Sequence, residues 1–270
     1  MNTDNAVRTQ DYIPESDWPD VSVMLDGFGQ PSLPATGHLA GVTLDIDYDD
    51  GSRIRHTFHS PTQLTLHVLS GDATGREGTH AYRAVEARDG IFFIDVLTSE
   101  GVDTHDISLV LNLNDGQVTT AASRIIVSGE GDQRTTTDLL NGRVAGSGAI
   151  VPRRRTDALV GKRIYYRYSP TERYEHIYLN RGTFVWHCIE GGEKGLADVD
   201  EARTYELGEE LFIFFWTESV MPVESFLIID LARQRSIGRM FCWQNSTSEV
   251  IHVPFDSKFT VLNDTTYPND

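Results

Sequence analysis

The chain of 270 residues is written twice. Leu39-Ala40-Gly41 returns as Leu159-Val160-Gly161, an offset of 159 − 39 = 120. The same offset links Tyr48 with Tyr168, His56 with His176, His67 with His187, Gly71 with Gly191, Gly75 with Gly195 and Phe92 with Phe212. It slips by two near the end, where Leu113 meets Leu231 (231 − 113 = 118). A tandem repeat restricts the fold to two similar units and supplies an internal comparison. Positions alike in both copies serve the shared fold. Polar positions present in one copy only are candidates for function.

The hydrophobic period within each copy is two, the period of a strand with one buried face. Leu44, Ile46 and Tyr48 alternate with Thr43, Asp45 and Asp47, and Ile164, Tyr166 and Tyr168 with Arg163, Tyr165 and Arg167. Short runs rich in Val, Ile, Phe, Tyr and Thr follow at spacings of roughly ten. Asp50-Gly51, Asp115-Gly116 and Arg181-Gly182 are hairpin-turn signals. No long stretch has a helical period. The expected class is all-β, each copy an antiparallel up-and-down barrel of about eight strands, because closure removes exposed edges and leaves room for one small ligand. Residues 1–38 read as an extended lead-in that could cover one end of the first copy through Trp18, Val21, Val23 and Leu25, with a short helix between Trp18 and Leu25 as an alternative. Residues 39–150 are the first barrel and residues 151–270 the second.

Composition excludes several functions. With 40 acidic against 23 basic residues the formal charge is −17, which opposes a role in tracking nucleic-acid phosphates or anionic membranes. The basic run Arg153-Arg154-Arg155 reads as a solvated linker. The polar start, Met1 to Gln10, offers no signal core, and no apolar stretch reaches membrane-spanning length. Two cysteines, Cys188 and Cys242, make neither a zinc motif nor a disulfide framework and read as buried thiols, so a cytoplasmic location is expected. Phosphate loops, dinucleotide fingerprints and nucleophile elbows are missing, so no cofactor and no metal is expected. The partner expected is a small organic ligand, and a homo-oligomer remains open.

The copies differ along the inward face. Alternation gives Ile46, Ile54, Leu66, Val96 and Thr98 in the first and Tyr166, Tyr174, Trp186, Trp216 and Glu218 in the second. The first reads as a barrel filled by its own aliphatic side chains. The second is lined by amphipathic aromatics and a carboxyl, a lining suited to a flat organic ligand. A carboxyl beside two indoles is poorly solvated, so its pKa rises and it can deliver a proton near neutral pH. Glu218 is the first catalytic candidate. Tyr166 and Tyr168, two apart, are candidates to hold a carboxylate or phenolate through their hydroxyls. Tyr174, His176, Trp186, Trp216 and Arg239 are the candidate substrate contacts. His187 falls on the face opposite Trp186.

Several stretches resemble the MoaF family, molybdenum cofactor biosynthesis protein F. They are Ser16-Asp17-Trp18-Pro19, Leu25-Asp26-Gly27-Phe28-Gly29, Leu39-Ala40-Gly41, Thr156-Asp157-Ala158-Leu159-Val160-Gly161-Lys162, Tyr174-Glu175-His176-Ile177-Tyr178-Leu179-Asn180, Phe184-Val185-Trp186-His187-Cys188 and Gly195-Leu196-Ala197-Asp198. The resemblance implies two tandem lipocalin-like barrels. The second copy is more distantly similar to the phenolic acid decarboxylases, single lipocalin-like barrels that act without a cofactor. Their Tyr-x-Tyr pair resembles Tyr166-Arg167-Tyr168, and their Trp-Thr-Glu resembles Trp216-Thr217-Glu218, which implies a proton donor at Glu218. Where those enzymes carry an active-site Arg this chain reads Leu196, leaving Arg239 or another base to replace it. The functional expectation is a cofactor-independent lyase or isomerase for a small aromatic or conjugated acid. The alternatives are a non-catalytic small-ligand binder and an accessory protein in molybdenum cofactor or molybdoenzyme maturation.

Overall fold

The computed structural model describes residues 11–98, 105–129, 131–266 and 268, with Met24 by its backbone alone. The chain forms two compact units, one of Ser32–Arg154 and one of Arg155–Asp270 together with the residues up to Pro31. Both are antiparallel β structures of neighbouring strands, so the all-β expectation and the two-barrel architecture hold.

The Ser32–Arg154 unit contains β1 (Thr43–Tyr48), β2 (Arg53–Phe58), β3 (Gln63–Ser70), β4 (Glu77–Ala81), β5 (Arg83–Arg88), β6 (Ile91–Thr98), β7 (His105–Asn112), β8 (Gln117–Val127) and β9 (Gln133–Val144). The sheet runs β4-β3-β2-β1-β9-β8-β7-β6-β5. Its two ends are consecutive strands separated only by Tyr82, whose N–H donates to the Thr62 carbonyl and whose hydroxyl donates to the Ser60 carbonyl. The ring is therefore nearly closed. Its core is mainly aliphatic, with Ile46, Leu64, Ile94, Val96, Leu109, Leu111 and Val118 packed around Phe58, Tyr82 and Phe92.

The other unit contains β10 (Lys162–Arg167), β11 (Arg173–Asn180), β12 (Thr183–Glu190), β13 (Ala197–Gly208), β14 (Leu211–Thr217), β15 (Val223–Asp230), β16 (Arg235–Gln244) and β17 (Glu249–Asp264). These close into an eight-stranded barrel through pairing of β10 with β17. β13 pairs with both β12 and β14, and its limits match β4 and β5 at the repeat offset (197 − 77 = 120; 208 − 88 = 120). The first copy thus interrupts one strand that the second copy keeps whole.

Shared glycines serve the fold, as the repeat implied. Gly75 and Gly195 have φ of 88° and 94°, a region where a side chain is strained. Their N–H groups donate to the carbonyls of Val68 and Cys188, each 2.9 Å long, closing the same turn in both copies.

One expectation is corrected. Of the lead-in, only the part from Ser32 onward stays with the first copy, where the Thr36 N–H donates to the Ala84 carbonyl at 2.8 Å; Trp18, Val21 and Leu25 do not cover it. The described lead-in residues up to Pro31 belong with the second barrel, whose buried aromatic cluster they join. A 3-10 turn at Glu15–Asp17 leads to α1 (Val21–Asp26), and Val21, Leu25 and Phe28 join the second barrel's core. The strap is pinned by polar contacts as well. Gln244 Oε1 accepts from the Ser22 N–H at 2.9 Å, and Ser169 Oγ donates to the Gly27 carbonyl at 2.7 Å. The basic run is held rather than loose, since Arg153 pairs with Asp115 and Arg155 donates to the Arg181 carbonyl. Among the described residues no helix is long and apolar enough to cross a membrane.

Candidate functional site

Strand alternation determines what fills the second barrel. On β11, Tyr174, His176 and Tyr178 point inward; on β12, Phe184, Trp186 and Cys188; on β14, Phe212, Phe214 and Trp216. One step in this period beyond Trp216 is Glu218, whose backbone N–H donates to the Val223 carbonyl at 2.9 Å and continues the pairing past the strand end. Glu218 is therefore drawn into the barrel rather than tipped into solvent, and it is 9% exposed.

A cavity opens beside it, with about 320 Å³ of unfilled space when its mouth is included. Its lining is Phe28, Tyr168, Tyr174, His176, Trp186, Glu193, Trp216, Glu218 and Met240. The enclosed part is narrow, enough for about one or two water molecules. The aromatic wall is continuous. Phe28 from the strap lies 4.7 Å from Tyr168, Tyr168 is 5.8 Å from Tyr174, and Tyr174 is 6.4 Å from Trp186. Trp18 closes over Trp186 edge-on at 5.9 Å.

Two carboxyls, Glu193 and Glu218, stand in this wall. Glu193 is 2% exposed and accepts from the Tyr174 hydroxyl at 2.9 Å through Oε2. Burial pushes its pKa up to about 8, and the neighbouring Glu172 carboxylate adds to the rise. Burial also raises Glu218 well above the ordinary carboxyl value, helped by the charges of Glu193, Asp200 and Asp198. Glu193 Oε1 and Glu218 Oε2 are buried and make no hydrogen bond with the described residues. Glu172 stands behind Tyr174 and is raised to about 7, chiefly by burial. Asp200 is different, because it accepts from Trp186 Nε1 at 2.9 Å and from the Ser219 N–H at 2.8 Å. It fixes the indole and the turn after Glu218. Burial depresses His176 to about 3, so it is a neutral imidazole, and its Nδ1 has no partner among the described residues.

Six of the eight residues expected at the site line this cavity: Glu218, Tyr168, Tyr174, His176, Trp186 and Trp216. Tyr166 does not. It is fully buried behind Tyr168, with which it stacks at 5.9 Å, and its hydroxyl shares a 2.8 Å hydrogen bond with Tyr178. Arg239 does not either. It lies on β16 next to the cavity-lining Met240, so its side chain leaves the opposite face, where it pairs with Glu224 at 2.7 Å. Strand alternation separates it from the cavity. His187 also faces outward, as expected, and bonds Glu175 at 2.8 Å beside Arg163.

Glu193, Phe28 and Met240 were not anticipated. The repeat held a signal for the first. Glu193 occupies the glycine-flanked turn where the first copy has Ala73 (193 − 120 = 73), a buried acid present in one copy only. Phe28 and Met240 left no such mark, because Phe28 lies outside the repeat and a lone Met reads as core.

Comparison with known proteins gives a consistent answer. Residues 16–127 match the MoaF N-terminal domain, and residues 153–265 the MoaF C-terminal domain. The Klebsiella aerogenes protein MoaF is 36% identical over 259 residues, covering 90% of this chain and 94% of that protein. A solved structure from Burkholderia vietnamiensis, described as a candidate beta-lactamase, shares 14% identity, with a TM-score of 0.33 over 41% of this chain and 97% of its own. That likeness is too slight to carry any statement on activity. The two domain matches and the full-length relative agree, and the chain belongs to the MoaF family.

Proposed function

We propose that the second barrel is a small-molecule site with acid–base capacity, and that the protein acts as a cofactor-independent lyase or isomerase on a compact, flat organic substrate. The observation that carries this reading is Glu218. It is a buried carboxyl at the wall of a cavity lined by Trp186 and Trp216, with one oxygen unpartnered. An acid held neutral in an apolar site can donate its proton to a substrate carbon or oxygen. Donation leaves Glu218 as the carboxylate, which can take a proton back from the substrate or from water, and Glu193 on the same cavity, kept largely neutral by burial, is a second acid. Trp186 and Trp216 wall the substrate, Tyr168 and Tyr174 offer hydroxyls, and Tyr166 positions Tyr168 from behind.

The lining does not favour the expected acid substrate. Leu196 stands where a decarboxylase-like Arg would be, and Arg239 is engaged with Glu224. A carboxylate would meet only neutral groups or like charge. The same feature disfavours a pterin cofactor, whose phosphate calls for convergent basic side chains. A binding role without chemistry is the second reading. The strap favours it, because Phe28 and Trp18 close the mouth as a ligand-retaining cover would.

A thermal-shift screen of hydroxycinnamates, related aromatic acids, neutral aromatics and pterins, with mass spectrometry of each hit, separates these readings. An enzyme yields a hit that is chemically changed by the native protein and unchanged by Glu218→Gln, while still stabilising both. Turnover that survives Glu218→Gln would sink the mechanism. Hits that stabilise without changing favour the binder.

A further inference from the structure

The cavity of the second barrel is unbalanced in sign. Glu193 and Glu218 bring two carboxyls to it, each with a buried oxygen that no described residue satisfies. No Lys or Arg stands among the lining residues. Arg163 on β10 and Arg239 on β16 leave the barrel wall on the face away from the cavity and are held by Glu175 and Glu224. Five aromatic rings, Phe28, Tyr168, Tyr174, Trp186 and Trp216, and the thioether of Met240 make up the rest apart from neutral His176. Ring faces carry negative potential and attract cations, most strongly when the cation is desolvated. Buried carboxylates need a counter-charge and hydrogen-bond donors.

One ligand class meets all of these demands. We infer that the cavity takes an organic ammonium, a protonated amine on a flat apolar body, with its nitrogen between Glu193 and Glu218 and its body against Trp186 and Trp216. The inference rests on the site proposed above and names its substrate class. An ammonium supplies three donors, enough for both bare oxygens. An alcohol satisfies one oxygen without neutralising charge. A carboxylate brings no donor for these oxygens and meets no cation among the lining residues. The narrow interior admits the ammonium head alone, so a body of about one ring lies in the open part of the cavity toward its mouth.

The inference also predicts a proton count. An arriving cation favours ionisation of the less strongly raised carboxyl, Glu193, so binding releases one proton while Glu218 keeps its own. Glu193 faces Tyr174, Glu172, Cys188 and Glu218, and Glu218 further faces Asp200, Asp198 and Cys242. None of these supplies a positive charge that would do the same in the empty site.

The test uses the whole chain and three probes of one size, benzylamine, benzyl alcohol and benzoate, titrated calorimetrically at neutral pH. Benzylamine is expected to bind about tenfold more tightly than benzyl alcohol, with benzoate weakest. Glu193→Gln and Glu218→Gln should each lower benzylamine affinity about tenfold and change benzyl alcohol by less than about threefold. If a variant fails to fold, the native protein still decides. Its benzylamine enthalpy should shift between buffers of different ionisation heat, reporting proton release. Equal or tighter binding of the alcohol or benzoate, or no proton release, overturns the inference. All four tryptophans, Trp18, Trp186, Trp216 and Trp243, lie in the second unit, so their fluorescence reports its occupancy. A fluorescence response to the alcohol or benzoate without one to benzylamine overturns the ammonium class and keeps the ligand site. No response to any probe overturns both.

Discussion

Glu193→Gln should flatten the pH dependence of stability on the alkaline side of neutrality. Glu193 is buried, and its pKa rises from 4.5 to about 8 in the fold. A carboxyl raised in the folded state contributes stability that is complete below its unfolded value and is lost as pH climbs through the folded value. The folded state holds a proton there that the unfolded chain has released. Integrating that difference from pH 6.5 to 8.5 gives a loss of roughly 2 kcal/mol. For a unit of this size the loss lowers Tm by roughly 6–10 °C. The window avoids three other strongly shifted groups. His56 and His176, depressed to about 4 and about 3, are already neutral, and Glu175, held near 2 despite burial by its bonds to His187 and Arg163, is already ionised. Glu172, at about 7, and Glu218, raised well above the ordinary carboxyl value, are present in both proteins, so the difference between them reports Glu193 together with its interaction with these two. Scanning calorimetry of both proteins across the window measures the difference. A native slope equal to that of Glu193→Gln would refute the reasoning, because it would mean that Glu193 is ionised throughout.

Four further outcomes follow from packing and burial. Gly191→Ala should destabilise by more than about 2 kcal/mol in a denaturant titration. Its φ is 140° and an added Cβ would lie 1.8 Å from Glu172 Oε2, combining strain with displacement of a buried carboxyl. Gly29→Ala, at φ 66° with nothing within 4 Å of its Cβ, should cost only about 1 kcal/mol. Phe28→Ala should cost about 3 kcal/mol and shift tryptophan emission to the red, since Phe28 packs on Tyr168, Tyr174 and Phe255 and its loss opens the cavity to water. Cys188 and Cys242, both buried, should resist thiol reagents at neutral pH until the barrel unfolds; burial raises the Cys188 thiol to about 12.

The architecture was legible because strand period and repeat agreed. The alternation of Ile164, Tyr166 and Tyr168 names the inward face of β10, and the offset of 120 carries the same assignment between copies. Glu218 was legible for the same reason, since the period continues two residues past Trp216. What escaped was tertiary. Sequence distance hides that Phe28 reaches Tyr174, and that the strap serves the second barrel instead of the adjacent first. Arg239 lies off the cavity because strand parity sends it to the face opposite Met240. Met240 lines the cavity, so Arg239 cannot. Glu193 lay in a turn, where period gives no face, and only comparison with Ala73 marks it.

The most direct test of the account is whether Glu218 is protonated at neutral pH. Infrared difference spectra of the native protein and Glu218→Gln, recorded in the carboxylic acid carbonyl region at pH 7, measure this. The account predicts a protonated-carboxyl band in the native spectrum that is lost or clearly diminished in the variant. Spectra with identical acid bands would place Glu218 among the ionised carboxylates and would contradict the proposed proton donor.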